Sequence, residues 1–263
     1  VLDKTGTLTR GKPTLVRVLP FGLSQEEALR LAAALERGSE HPLAKAVLEA
    51  AESLPQAQAE EVRALPGEGV EGRVEGRRLH LGGPALMERL GVPLPEEAKA
   101  LPEEGYTPLY LVEGTRLLAA FAVFDPPRPE AQEAVAALKA LGLKLVLLTG
   151  DHPAPARRVA EALGIPEVLA GVRPEGKVEA IRRLQAEGRK VVFVGDGIND
   201  AAALAQADVG LAMGSGTDIA LEAGDVVLLT PDLRGVVNAV RLARRTLRTI
   251  YLNFFWAYAY NVV

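Results

Sequence analysis

The sequence predicts an α/β protein: a parallel sheet flanked by helices, interrupted near its start by an inserted α+β domain. Three observations predict it. Apolar runs at Leu145–Leu148 and Val191–Val194 each break into a small or acidic segment, Thr149-Gly150-Asp151 and Gly195-Asp196-Gly197. Buried parallel strands read this way where they end in a ligand-facing loop. A first strand end stands at Asp3, yet the next segment of parallel-sheet character begins only near Lys144. The interval, residues 12–124, has a different texture: amphipathic helices, then short alternating segments broken by Gly and Pro. The expected boundaries are 1–11 and 125–240 for a discontinuous parallel-sheet domain, 12–124 for the insert and 241–263 for a C-terminal segment, with hinges near Gly11-Lys12-Pro13 and Phe124-Asp125-Pro126-Pro127. A chain of 263 residues holds two domains of ordinary size.

In chain order, the first element is the end of a strand at Asp3, which opens the run Asp3-Lys4-Thr5-Gly6-Thr7-Leu8-Thr9. A carboxylate followed by small, hydroxylated and cationic groups suits a nucleophile that accepts a phosphoryl group. Ser24-Gln25-Glu26-Glu27 is a capping box, and Ala28, Leu29, Leu31, Ala32 and Leu35 continue it as a helix with one apolar face. That helix leads into Glu36-Arg37-Gly38-Ser39-Glu40-His41-Pro42. Taken alone, a histidine beside proline reads as a satisfied loop residue. Gly67-Glu68-Gly69-Val70-Glu71-Gly72 matches a dinucleotide fingerprint, but no apolar strand precedes it and no helix follows, because Arg73-Val74-Glu75 and Arg77-Arg78-Leu79-His80-Leu81 alternate as strands. Gly171–Lys177 likewise matches most of a P-loop, but Val178 stands where a Mg²⁺-binding hydroxyl is needed. The strand at Val191–Val194 ends in Gly195-Asp196-Gly197-Ile198-Asn199-Asp200. Val209-Gly210-Leu211-Ala212 then leads through Gly214-Ser215-Gly216-Thr217-Asp218, expected as a sheet-end loop into a capped helix.

Ligands collect at the carboxyl ends of the strands of an open α/β sheet, so Asp3, Thr149, Lys177 and Asp196 are expected to share one crevice. A carboxylate attacking a phosphoryl group brings two anions together, and a hard cation must neutralise both. Asp3 and Asp196 supply oxygens for Mg²⁺, Lys177 a fixed positive charge, and Thr149 with nearby backbone N–H groups a cradle for phosphoryl oxygens. The expected product is an aspartyl-phosphate. Asn199 and Asp200 are expected to shape the metal loop, with Asp200 supporting it by hydrogen bonding.

With these motifs in this order, the chain resembles the P-type ATPases over essentially its whole length. The resemblance rests on the DKTGT run and on Gly195-Asp196-Gly197-Ile198-Asn199-Asp200-Ala201-Ala202, where Ala202 replaces the proline of many members. It implies a haloacid-dehalogenase-like phosphorylation domain with an inserted nucleotide-binding domain, and ATP and Mg²⁺ as cofactors. Ser39-Glu40-His41-Pro42 is similar to the nucleotide-domain signature of the heavy-metal subfamily, which implies that Glu36, His41, Gly67 and Gly69 contact the adenine end of ATP, while Thr149, Gly150 and Asp151 serve the phosphate end. Thr5, implied beside Mg²⁺, stands where related phosphatases carry a second aspartate as general acid/base, so the acyl phosphate should hydrolyse slowly. Hinge closure would deliver ATP to Asp3 while membrane helices change access. Asp125 and Arg128, in Asp-Pro-Pro-Arg, resemble a family motif that couples nucleotide binding to domain closure, and read equally as an exposed ion pair.

The C-terminal segment is consistent with this. Arg241, Arg244, Arg245 and Arg248 precede an uncharged run, residues 250–263, that holds the only tryptophan and three of the five tyrosines. Fourteen residues are too few to span a bilayer, which needs about 20. Arginines followed by interfacial aromatics read as the cytoplasmic start of a cut transmembrane helix. The resemblance therefore implies a cell-membrane protein whose cytoplasmic part is this chain, with actuator and membrane domains elsewhere. Tyr260-Asn261 resembles the transport-site dipeptide of copper-type members, so the implied cargo is a soft metal ion, Cu⁺ foremost. With 30 basic and 34 acidic residues and no basic stripe with interleaved aromatics, a nucleic-acid partner is not expected. The absence of cysteine excludes disulfides, and the three scattered histidines and two methionines suggest no transition-metal site. Two other readings stay open: a free-standing phosphatase of small phosphate esters, and a catalytically silent nucleotide sensor.

Overall fold

Two sheets of six strands organise the chain in the computed structural model, which describes residues 1–196, 200–214 and 223–263. The chain divides into two compact units. The first comprises residues 1–8, 127–150 and 160–263, the second residues 9–126 and 151–159.

The first unit carries an all-parallel sheet. Its strands are β1 (Leu2–Asp3), β8 (Val146–Leu148), β9 (Glu167–Leu169), β10 (Val192–Gly195), β11 (Val209–Met213) and β12 (Val226–Leu228), in spatial order β12-β11-β10-β1-β8-β9. The crossovers after β1 go toward β8 and β9, whereas β10 returns to the other flank of β1 and continues outward to β12. The order therefore reverses at β1, and a parallel sheet opens a ligand crevice beyond its carboxyl ends at such a switch point. Register aligns the ends: Leu2 lies opposite Leu147 and Val194, and Asp3 opposite Leu148. The central strands are apolar because both faces are covered. Leu148, Phe193 and Ala212 are buried with Ile181 of α7 (Pro174–Ala186) and Leu204 of α8 (Ala201–Gln206). α5 (Ala131–Ala140) also belongs to this unit, and α6 (Pro153–Leu163) crosses the division between the two.

The second unit is built on an antiparallel sheet of order β2-β7-β6-β5-β4-β3. Its strands are β2 (Thr14–Pro20), β3 (Ala59–Leu65), β4 (Gly69–Val74), β5 (Arg77–Gly82), β6 (Thr107–Glu113) and β7 (Arg116–Phe124). β6 and β7 are buried along nearly their whole length because each sheet face is covered. On one face α1 (Gln25–Glu36) and α2 (Pro42–Ala50) pack Leu31, Leu35 and Val47 against Val70, Leu81 and Phe121. On the other, α3 (Pro84–Leu90) and α4 (Glu96–Lys99) pack Leu86, Met87 and Ala98 against Tyr110 and Val112. The capping box starts α1 as its residues require, with the Glu27 N–H donating to the Ser24 hydroxyl at 3.1 Å.

Residues 59–65, which carry no apolar run, nevertheless form β3. It is an edge strand with mostly exposed side chains, held by backbone pairing to β4. The dinucleotide-like glycines therefore lie in the turn and return strand of an antiparallel hairpin, not at a strand-to-helix junction.

The last helix, α9 (Arg234–Val262), runs 29 residues without a break at 240/241. Val236 and Val237 are buried at its base, and its aromatic residues are exposed. No helix among the described residues is long and apolar enough to cross a membrane.

Candidate active site

Asp3 ends the two-residue central strand, and the chain leaves it in a tight loop, Lys4–Leu8, whose Thr5 and Gly6 are non-helical. Gly6 has φ +77°, and a Cβ placed there would lie 3.3 Å from Asp196 Oδ2. Glycine is required by conformation and by the approach of that carboxylate. Asp196 is the first residue beyond β10, the neighbour of β1, so adjacent strand ends bring Asp3 and Asp196 to the same crevice. Thr149 is buried just beyond β8, on the other flank of β1, with its N–H donating to the Leu169 carbonyl. Gly150 follows it, exposed, and Asp151 is half-buried. Thr5, within the Lys4–Leu8 loop, is exposed.

Lys177 sits in the first turn of α7, whose N-cap is Arg173. Its Nζ donates to Asp3 Oδ1 at 2.9 Å and to Asp200 Oδ1 at 2.7 Å, and all three side chains are buried. The sequence suggested a positive charge at this place. It did not suggest that Asp200 is the lysine's second partner, because a residue written next to the metal loop reads as part of that loop. Asp200 Oδ2 and Thr7 Oγ1 are buried without hydrogen-bond partners among the described residues. Asn199 lies outside the described residues, as do residues 215–222 with the expected loop at Ser215 to Asp218.

Burial and then the nearby Asp200 charge push the Asp3 carboxyl up to about 7, against the opposing pull of Lys177. For Lys177, burial works toward a lower pKa, but the two carboxylates outweigh it and raise the ammonium above its ordinary value.

The fit to a hard divalent cation can be judged from the donors. Asp3 and Asp196 present carboxylates on neighbouring strand ends, with space at Gly6 that any side chain would fill. Among the described residues no cluster of three His, Cys, Asp or Glu forms a closed cage. Mg²⁺ needs none, since it binds through one or two carboxylates, substrate phosphate and water. The residues present fit it.

In the second unit, Glu36, His41, Gly67 and Gly69 line one cavity of about 820 Å³, together with Leu35, Val62 and Leu109. This volume and its mostly apolar walls suit a small-molecule ligand. Glu36 is the last residue of α1, and burial raises its carboxyl to about 7. His41 is the N-cap of α2, its Nδ1 accepting from the Leu43 N–H at 3.2 Å. In the neutral ring the proton therefore sits on Nε2, leaving that edge as a donor. The wall supplied by β3 went unnoticed in the sequence because exposed, charged residues mask a strand.

The two glycines differ. Gly67 has φ +75° with open space where a Cβ would go, whereas at Gly69 (φ +152°) a Cβ would lie 2.1 Å from the Leu81 carbonyl oxygen and 2.7 Å from Gly82 Cα. Gly69 is demanded by strand packing irrespective of any ligand. Gly67→Ala is expected to lower stability by about 1 kcal/mol, and Gly69→Ala by more than ~3 kcal/mol, in denaturant unfolding. Equal effects would contradict the packing argument.

The Glu36 carboxyl also links stability to pH. A carboxyl raised from its unfolded value binds its proton more tightly when folded, so its contribution weakens as pH rises from about 4.5 to about 7. Glu36→Gln is therefore expected to raise the melting temperature at pH 8 and leave it unchanged at pH 4, the gain being about 1 kcal/mol after allowance for partial exposure. A gain that is the same at both pH values would refute the assignment.

The haloacid dehalogenase-like hydrolase family matches residues 1–208. Copper-transporting ATPase 1 of Rhizobium meliloti (strain 1021) is 47% identical over 267 aligned positions, covering 99% of this chain and 32% of that protein. Copper-exporting P-type ATPase B of Archaeoglobus fulgidus is 42% identical, covering 99% of this chain and 38% of its own length. The chain thus spans about a third of the curated relatives it matches. Among solved structures, a zinc-transporting PIB-type ATPase in the E2.Pi state superposes with a TM-score of 0.83 at 42% identity, over 96% of this chain and 42% of that one. The catalytic domain of the CPx-ATPase CopB-B superposes with a TM-score of 0.72 at 30% identity, over 90% of this chain and 86% of that one.

Proposed function

The chain belongs to the haloacid dehalogenase-like hydrolases, as a catalytic portion of the P-type ATPases, and we propose that it is the ATP-consuming part of a heavy-metal pump. The observation that carries this reading is the position of Lys177 Nζ, 2.9 Å from Asp3 Oδ1, with the Asp196 carboxylate beside the same loop.

In this reading the purine of ATP occupies the cavity of the second unit, where Glu36 accepts a hydrogen bond from an amino edge and His41 Nε2–H donates one. Asp3 Oδ attacks the γ-phosphorus. The bond between that phosphorus and the β,γ-bridging oxygen breaks, ADP leaves with the electron pair, and Asp3 carries an acyl phosphate. Lys177 neutralises charge on the transferring group, and Thr149 with backbone N–H groups holds its oxygens. Mg²⁺, held by Asp3, Asp196 and Thr5, would lower the repulsion between the carboxylate and the phosphate. Water then attacks the phosphorus and the P–O bond to Asp3 breaks, releasing phosphate and restoring the carboxylate. Thr5 offers no carboxylate to assist that water, so the intermediate persists.

The proposed cargo is a soft metal ion, Cu⁺ first, on the names of the copper-transporting relatives and on Tyr260-Asn261. The partners are the actuator and membrane parts of the same pump, and the proposed location is the cell membrane with this portion on the cytoplasmic side.

The test is to incubate the chain with γ-labelled ATP and Mg²⁺, quench in acid and treat with hydroxylamine. Protein-bound label that hydroxylamine releases is expected. Repeated turnover of small phosphate esters without bound label would favour the free-standing phosphatase instead.

A further inference from the structure

The shape of the nucleophile loop is imposed from outside it. Arg128, between β7 and α5, donates its backbone N–H to the Leu8 carbonyl at 2.8 Å, Nε–H to the Thr7 carbonyl at 2.9 Å and an Nη2–H to the Gly6 carbonyl at 2.9 Å. Three successive peptide planes of the loop thus depend on one residue. Among the described residues no peptide bond is cis. In a trans peptide the N–H lies opposite the carbonyl, so the N–H groups of Thr7, Leu8 and Thr9 are turned away from Arg128 by the same contacts.

The remaining arm of the guanidinium reaches elsewhere. An Nη1–H donates to the Pro231 carbonyl at 3.1 Å, one residue before Asp232, whose carboxylate accepts at 2.9 Å from the N–H of Arg234, the first residue of α9. The planar fork of arginine can serve two segments at once, which a lysine ammonium on a single stem does less well. The Asp125 carboxylate has partners of its own, the Thr9 hydroxyl at 2.6 Å and the Lys12 N–H at 3.2 Å.

We propose that Arg128 is a positioning residue that holds the Gly6–Leu8 peptides in the geometry needed for phosphoryl transfer and ties that loop to the base of α9. The loop's state is thereby felt by the helix that carries the exposed aromatic run. The proposal rests on the phosphoryl-transfer reading for its effect on rate, but not for the tie itself.

The experiment compares the 263-residue chain with Arg128→Ala and Arg128→Lys. Amide hydrogen exchange of the ligand-free proteins is expected to accelerate at least tenfold in Arg128→Ala, both in residues 5–9 and in residues 232–237, with other segments unchanged. At saturating ATP the rate of label incorporation is expected to fall at least tenfold, while affinity for a non-hydrolysable ATP analogue stays within twofold. Arg128→Lys retains the charge without the fork and is expected to remain slow, and it serves as the informative variant if Arg128→Ala does not fold. Unchanged exchange at 232–237 would overturn the tie to α9, and an unchanged labelling rate would overturn the positioning role. Absence of label in the parent chain would count against the proposed function alone, and exchange would still decide the role of Arg128.

Discussion

Replacing Lys177 by methionine is expected to destabilise the protein by about 3–5 kcal/mol at pH 8 and to abolish phosphoenzyme formation. The lysine, Asp3 and Asp200 side chains are only 11%, 7% and 1% exposed, and Lys177 Nζ donates to both carboxylates. Its removal leaves two buried anions facing each other. Asp200 Oδ2 has no hydrogen-bond partner among the described residues even with the lysine present. The loss should depend on pH with a definite sign. Asp3 already has a raised carboxyl, and losing the ammonium raises it further, so at pH 6 a proton taken up by Asp3 relieves much of the repulsion. Denaturant unfolding at pH 6 and pH 8 should therefore give a clearly larger difference at pH 8. A difference below about 1 kcal/mol at pH 8 would sink the view that this lysine holds the site together. Adding Asp200→Asn to Lys177→Met should recover a good part of the stability and none of the labelling, separating the lysine's structural part from its chemical one.

For Asp3→Asn, activity and stability are expected to move in opposite directions. Label incorporation should fall by about 10⁴-fold or more, since no other carboxylate stands at the end of β1 to take its place. Stability at pH 8 should rise by about 1–3 kcal/mol. Burial holds the folded-state carboxyl well above its ordinary 3.8, so the native protein binds the extra proton more tightly than the unfolded chain and loses stability as pH climbs from that ordinary value toward the raised one. Asparagine keeps an oxygen for the Lys177 ammonium and carries no charge to desolvate. The gain should vanish below pH 4, where parent and variant are both neutral at this position. A thermal melt in which Asp3→Asn is less stable than the parent at pH 8 would contradict this account of the burial. The expected trade is that of a site kept strained for its chemistry.

The groups that meet at the ends of β1 and β10 were in part legible from the residues. Thr149 and Asp196 were singled out by their place after apolar runs, because a strand buried on both faces has to be apolar and its end has to be polar where a ligand is met, whereas Asp3 and Lys177 were singled out by residue type and by the motifs around them. The insert was legible as a change of texture, and the capping box at Ser24 marked the start of α1 since its donors and acceptors are local. Other features were not. β3 escaped notice because an edge strand keeps its charged side chains in water and takes its stability from backbone pairing with β4, which leaves no hydrophobic period to read. The two roles of Gly67 and Gly69 looked alike in sequence, yet one satisfies a turn and the other the close approach of Leu81.

By itself, then, the sequence determined the parallel character of one sheet and the mixed character of the insert, and it supplied the carboxylates and the lysine proposed for phosphoryl chemistry, all of which follow from composition and from contacts within a few residues. Only the tertiary structure decided that Lys177 joins Asp3 to Asp200, that the strand order reverses at β1, and that Arg128 gathers the carbonyls of residues 6–8 and 231. Each of these contacts joins residues that are distant along the chain, and hydrogen-bond partners at that separation are chosen by the packing of the sheet and its helices, which no local pattern encodes.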